Sequence, residues 1–335
     1  SALGANTTGT RNIVIGYGAM DDTDAGSTSL GSSDNIFMGY SAGGGTWANA
    51  ATNGNVGIGS YVMDSALDGA LYNTAVGAYA ASAITQADNV VAIGNSAAYT
   101  LTTASNTVAI GTNALKVHTT GERNIAIGTN AMDDTDAGST SLGSVDNVFI
   151  GHDAGGGTWA DAASNYNIGI GNYVMDGALN GAIENTALGY QALSSITTED
   201  ANVAIGYKAL YQGGGTQNIA IGADAMSQGP TGGTNYAIGR YSMMDCNAGS
   251  NALSSHTNIA IGHAALGGTW ADAASNYNIA IGHNAMDAGV NGALYNMAMG
   301  YAALGALTEG DGNVAIGHSA GALLTTGAGN IILGR

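Results

Sequence analysis

The chain has 335 residues, of which 55 are Gly, 1 is Pro and 1 is Cys, and only 9% are charged, against roughly 25% in ordinary soluble domains. Glycine at this density without a Gly-X-Y period excludes collagen, and 45% hydrophobic residues exclude a disordered tail. The net charge is −18, with Arg11, Arg123, Arg240, Arg335, Lys116 and Lys208 as the cations, so nucleic acid and anionic membrane surfaces are poor partners.

In chain order, one pattern recurs eighteen times: Asn, an apolar residue, a small residue, an Ile-like residue, then Gly. It starts with Asn12-Ile13-Val14-Ile15-Gly16, returns as Asn124-Ile125-Ala126-Ile127-Gly128 and last closes at Gly334. Successive closing glycines are 23, 20, 18, 17, 17, 17, then 23, 20, 18, 17, 16, 17, then 23, 20, 18, 17 and 17 residues apart. A short repeat of roughly 17 residues is thus nested in three long repeats, 12–123, 124–234 and 235–334.

Each copy reads as a three-residue strand. Ile stands before the Gly in 13 of 18 copies and Ala stands two before it in 12 of 18, so alternation lays Ile-like residues on one face and Ala on the other, both apolar. After the Gly, two variable residues lead to Ala in 14 of 17 copies and then to Met or Leu in most, which predicts a second short strand. Such coils cannot bury themselves singly but can stack about 4.8 Å apart. The expected fold is an all-β parallel β-solenoid of about 18 coils, one domain over 1–335, cut from a longer fibre.

The copies also predict packing. Where the strand centre is Phe37 or Phe149, the residue four after the Gly is Gly43 or Gly155; where it is Ala260, that residue is Leu266. Volume removed from one position returns at the other, so the two share a packed layer. The repeated Asn is expected to form a hydrogen-bonded amide ladder. Asn89 and Asn106 sit one residue further from their Gly, which predicts local bulges. The Ala-rich face is expected to be covered by sister chains, closing a homotrimer.

The longer coils carry loops that emerge side by side, once per long repeat. The first loop pairs Asp22 with Asp24, Asp134 with Asp136, and Asp245 with Asn247; oxygen side chains two apart before a Gly are the start of a calcium loop, with turn geometry as the alternative. The second loop holds Trp47, Trp159 and Trp270. They are candidate glycan-binding residues, since flat indoles stack on sugar rings and neighbouring Asn49, Asp161 and Asp272 could accept hydroxyls; the alternative is that each indole pins its own loop. Directly after the repeat glycine stand Tyr17, Tyr40, Tyr190, Tyr207 and Tyr301, with His152, His263, His283 and His318, an aromatic column expected to stack between coils. Cys246 has Thr23 and Thr135 as internal counterparts and is expected to be a small filler.

The motifs Asn185-Thr186-Ala187-Leu188-Gly189-Tyr190-Gln191-Ala192-Leu193 and Asn106-Thr107-Val108-Ala109-Ile110-Gly111 resemble the head repeats of trimeric autotransporter adhesins and similar repeats in bacteriophage tail fibres. The resemblance covers nearly the whole chain and implies a left-handed β-roll, homotrimeric assembly, an extracellular place on a virion or cell surface, and host attachment through cell-surface glycan. These coils are longer than the family's, which favours a tail fibre or receptor-binding shaft over a bacterial adhesin. No apolar run is long enough to span a membrane. No Cys cluster, phosphate loop or nucleophile motif is visible, so no enzyme is expected; a polysaccharide-cleaving spike is the alternative, although Glu122, Glu184, Glu199 and Glu309 lie far apart for a carboxylate pair.

Overall fold

The computed structural model describes residues 2–4, 8–23, 31–135, 143–246, 254–271 and 273–335. The chain is an all-β parallel solenoid with eighteen three-residue strands and, among the described residues, no α-helix. It divides into two compact units, Ser1–Ile170 with Gly177–Gly181, and Gly171–Asp176 with Ala182–Arg335. The division falls inside the second long repeat. In a solenoid each coil contacts only its neighbours, so no long repeat forms a core of its own.

The first unit runs from β1 (Ile13–Ile15) to β9 (Ile168–Ile170), and the second from β10 (Thr186–Leu188) to β18 (Ile331–Leu333). Within each unit every strand pairs in parallel with that of the next coil, without slippage: Ala92 lies opposite Ala109 and Ala109 opposite Ala126, and likewise Ala204, Ala220 and Ala237. The expected second strand does not form. Two and four residues after the repeat Gly the backbone turns left-handed, as at Ser96 (φ 55°) and Ala98 (φ 52°) or Asn113 (φ 59°) and Leu115 (φ 49°). Two such bends within three residues exclude an extended strand. Hydrogen bonds to neighbouring coils offset the local strain: Ser96 N–H donates to the Ala78 carbonyl at 2.9 Å and Ala98 N–H to that of Ala114 at 2.9 Å.

The repeat glycine is required by two independent constraints. Gly77 and Gly94 have φ of 140° and 137°, and a Cβ on Gly77 would sit 2.3 Å from the Gly94 carbonyl oxygen. The same approach links Gly94 to Gly111 and Gly111 to Gly128. Only a residue without a side chain fits a column in which backbones stack this closely.

The core lies inside each coil. The strand-centre residues Ala75, Ala92, Ala109, Ala204 and Ala220 are buried, as are the alanines three after the Gly and the Met or Leu four after it. A Cβ on Gly321 would meet Leu304, Ile332 and Ala315, which places strand centres and post-glycine residues in one layer. The Phe and Gly exchange is real: a Cβ on Gly43 would lie 2.9 Å from the Phe37 ring, and one on Gly155 2.9 Å from that of Phe149. The expectation that sister chains cover the alanine face is overturned. Alanine is small enough for the coil to close on itself, so that face packs against its own chain, and the isoleucine face is the one left outward.

The Asn ladder forms as expected. Asn55 is buried; its backbone N–H and its Nδ2 both donate to Asn35 Oδ1, at 3.0 and 3.2 Å, and Nδ2 also reaches the Ala70 carbonyl at 2.9 Å. These bonds satisfy backbone groups that burial would otherwise orphan. Asn89 and Asn106 are not bulges. The strands of their coils stay in register, Val90 and Thr107 take the ladder position, and the two Asn occupy the left-handed corner before it at φ 58°, a conformation Asn tolerates well. The ladder resumes at Asn124, where buried His118 lies alongside: its Nε2 is 2.7 Å from the Gly121 carbonyl and 3.2 Å from Asn124 Nδ2, and its Nδ1 is 2.8 Å from Thr135 Oγ1.

Candidate functional site

Trp47, Trp159 and Trp270 all have 0% exposure. Each indole Nε1–H donates to a carbonyl of its own loop, that of Gly43 at 3.0 Å, Gly155 at 3.0 Å and Leu266 at 3.1 Å. Phe37 and Phe149 meet the first two edge-on, with centroids 6.0 and 5.9 Å apart. A ring with no open face cannot stack on a sugar, so the expectation of glycan binding at the three tryptophans is corrected. They anchor their loops, because the largest apolar surface in the loop gains most from burial once its N–H finds an acceptor.

Asp22, Asp134 and Asp245 hold the adjacent loop in place. Each Oδ2 accepts a hydroxyl hydrogen bond, from Thr46 at 2.6 Å, Thr158 at 2.7 Å and Thr269 at 2.7 Å. Each backbone carbonyl accepts the N–H of the following Trp, at 3.0, 2.9 and 3.0 Å. The other halves of the expected calcium pairs, Asp24, Asp136 and Asn247, lie outside the described residues, as does Asp272. Among the described residues no group of three or more His, Cys, Asp or Glu could hold a metal ion. Cys246 is buried, its thiol donates to the Met243 carbonyl at 2.8 Å, and burial pushes its pKa well above the ordinary thiol value. A protonated, enclosed thiol is a filler and not a nucleophile.

The aromatic column stands on the surface. Tyr17 and Tyr40 stack at 5.7 Å, Tyr190 and Tyr207 at 5.6 Å. His263, His283, Tyr301 and His318 form an unbroken pile with centroid spacings of 4.7, 5.4 and 5.0 Å. These distances match the coil rise, so the solenoid itself sets the stacking.

Two surface features were not legible from the motifs. The first is a stripe made by the outward residues of each strand, such as Ile58, Ile93, Ile168, Ile238, Ile261 and Ile316, all exposed. The second is a groove of about 380 Å³ in the second unit. Lys208, Asp224 and Tyr241 form one wall, each two residues after a repeat glycine and held left-handed at φ 51°, 54° and 61°. Tyr211, Gln212, Ser227, Gln228 and Met244 complete the lining. The middle coil, from Gly222 to Gly239, contributes Asp224, Ser227 and Gln228, and the first two are shorter than the Lys208, Tyr211 and Tyr241 side chains of the coils on either side. In the first long repeat the position of Ser227 is taken by Lys116.

The electrostatics single this groove out. Arg11 and Arg123 form ion pairs with Asp34 and Asp146, at 2.6 and 2.7 Å, and those guanidinium hydrogen bonds hold both carboxyls below their ordinary pKa. Lys208 instead lies 4.9 Å from the Tyr211 ring centre, and Arg240 lies 4.4 Å from that of Tyr241. Neither cation makes an ion pair with a carboxylate among the described residues. The sequence carried a signal for this place: the coil from Gly206 to Gly222 is the shortest at 16 residues and holds Lys208, and Arg240 directly follows the next repeat glycine, Gly239, so that two of the six cations fall close to the groove. Elsewhere Asp133 is pushed up to about 6 by burial and by the nearby Asp153 and Asp134 charges. The chain matches no protein-family model and no curated protein.

Proposed function

We propose that the chain is a non-enzymatic structural and adhesive segment of an extracellular fibre, a bacteriophage tail fibre or receptor-binding shaft that attaches to a host surface as a homotrimer. The observation that carries this reading is the isoleucine stripe. The alanine and the post-glycine Ala and Met or Leu columns are internal, whereas this one turns the two outer residues of each strand, mostly Ile or Val, toward the outside. Nine coils at about 4.8 Å, two residues wide, make a stripe of roughly 300 Å² in projection in each unit, within the range of the largest apolar patches on monomers, which are often functional. Three copies turning the same face inward would bury it around one axis, in a closed ring of identical contacts. The trimer therefore uses the opposite face from the one the sequence pointed to. A bacterial surface adhesin has the same geometry and is the second reading, favoured by the shared Asn and Gly motifs.

The test is a solution mass of the intact chain by light scattering. Three chain masses are expected, and Ile93→Glu with Ile110→Glu is expected to lower the mass to one while leaving the β spectrum in place. A single-chain mass for the unaltered protein would refute the trimer. A polysaccharide-cleaving spike would instead release new reducing ends from host polysaccharide, which this reading does not expect.

A further inference from the structure

We infer that the groove around the coil from Gly222 to Gly239 is a binding site for a carboxylate-bearing saccharide. The inference deepens the proposal of an attachment fibre by placing its receptor contact on named residues. The flanking coils hold Lys208 and Tyr241 two coil rises apart, about 9.6 Å, with only the shorter Asp224 between them. A cavity of about 380 Å³ is at the lower end of the range for small-ligand sites, and suits one or two sugar rings.

The chemistry of the walls selects the ligand. Tyr211 and Tyr241 supply aromatic surface for the apolar face of a pyranose. Gln212, Gln228 and Asp224 supply amide donors and acceptors and a carboxylate acceptor for ring hydroxyls; the Asp224 carboxylate has no hydrogen-bond partner among the described residues. Charge then separates an acidic sugar from a neutral one. Lys208 is held over tyrosine rings 5.5 and 4.9 Å away, and Arg240, just outside the lining, lies against the ring of lining Tyr241. Two cations committed to no carboxylate flank a single Asp in a chain of net charge −18. At physiological salt the remaining acidic groups are screened beyond about 8 Å, so a ligand in the groove experiences the local positive balance. A sugar carboxylate beside Lys208 Nζ would form a charge-assisted hydrogen bond, which a neutral sugar lacks.

The experiment is calorimetric titration of the full chain with a galacturonic acid tetramer, with the same tetramer methyl-esterified, and with a sialyl-lactose. Binding of either acidic probe, with at least about tenfold weaker binding of the ester, is the expected result; the acidic probe that binds identifies uronate or sialate as the source of the carboxylate. Lys208→Met and Tyr211→Ala should each weaken that binding by about tenfold or more with the oligomeric mass and β spectrum unchanged. Absence of heat with both acidic probes, equal binding of the ester, or full binding by Lys208→Met would overturn the inference. Those outcomes leave the fibre proposal standing, because it is judged by mass.

Discussion

Phe37 and Ala260 occupy the same strand-centre position in the first and third long repeats, yet their surroundings differ throughout. Phe37 faces Gly43, whose missing side chain makes room for the ring, and in the next coil Gly57, where a Cβ would be 2.5 Å from that ring. Ala260 is paired with Leu266, and both are fully buried. The tryptophan of the following loop is present in both settings and donates to the same backbone position, Gly43 in one and Leu266 in the other. The backbone is therefore the conserved quantity within this chain, and side-chain volume is exchanged inside it.

The strongest way to break that comparison is to disturb what both regions share. Gly39→Ala and Gly262→Ala place a Cβ 2.2 and 2.5 Å from the carbonyl oxygen of the next repeat glycine at a backbone conformation that penalises side chains. Each should destabilise its coil by at least about 3 kcal/mol, equally in the Phe and the Ala setting, as read by urea unfolding.

The next effect separates the two regions. Phe37→Ala should cost roughly 3 to 5 kcal/mol, because Gly43 and Gly57 cannot refill the space. Ala260→Phe should cost about 1 to 3 kcal/mol by overpacking, and adding Leu266→Gly should recover more than half of that loss. A double-mutant cycle in thermal unfolding gives the coupling; strict additivity would contradict a shared layer.

The same logic applies to the ladder, where Asn55 and Val90 hold equivalent positions with different chemistry. Asn55→Ala leaves the Ala70 carbonyl without its side-chain donor and should cost about 1 to 3 kcal/mol. Val90→Ala breaks no side-chain hydrogen bond and should show no gain in amide exchange at Thr74, whose N–H is held by the Val90 backbone carbonyl at 2.8 Å.

The smallest effect compares Asp133 with Met244, its counterpart in the third long repeat. Asp133 has its folded pKa raised from 3.8 to about 6, so the folded state holds the proton more tightly than the unfolded chain. Its contribution to stability is complete below the unfolded value and is lost as pH rises through about 6, following the linkage of protonation to folding. Asp133→Asn should flatten the stability profile in that window and gain less than about 1 kcal/mol at neutral pH, because solvent screens this half-exposed group.

Strand positions, repeat glycines, the amide ladder and the Phe and Gly exchange were legible because eighteen near-copies expose which residues vary together. The choice of inward face was not, since Ile and Ala alternate as two apolar rows and only the closed coil shows that the smaller row fits inside. The missing second strand was hidden for a related reason. Its left-handed corners are held by residues such as Leu115, Met132 and Leu210 (φ 49°, 49° and 52°), types that carry no turn signal. The groove needed three coils aligned in space, so no single motif contains it. His118 was missed because it lies in the stretch between repeat glycines, off the repeated pattern, where it packs beside the ladder residue Asn124.

The repeat glycine has a consequence for how such a chain can change its length. Because the joint between windings consists of backbone meeting backbone, it is identical wherever it is cut, and a duplicated cassette of six windings can be spliced in without redesigning a seam. Each such cassette would add about 29 Å of reach. Within each unit, the column of hydrogen atoms at these glycines is a scale whose graduations can be copied.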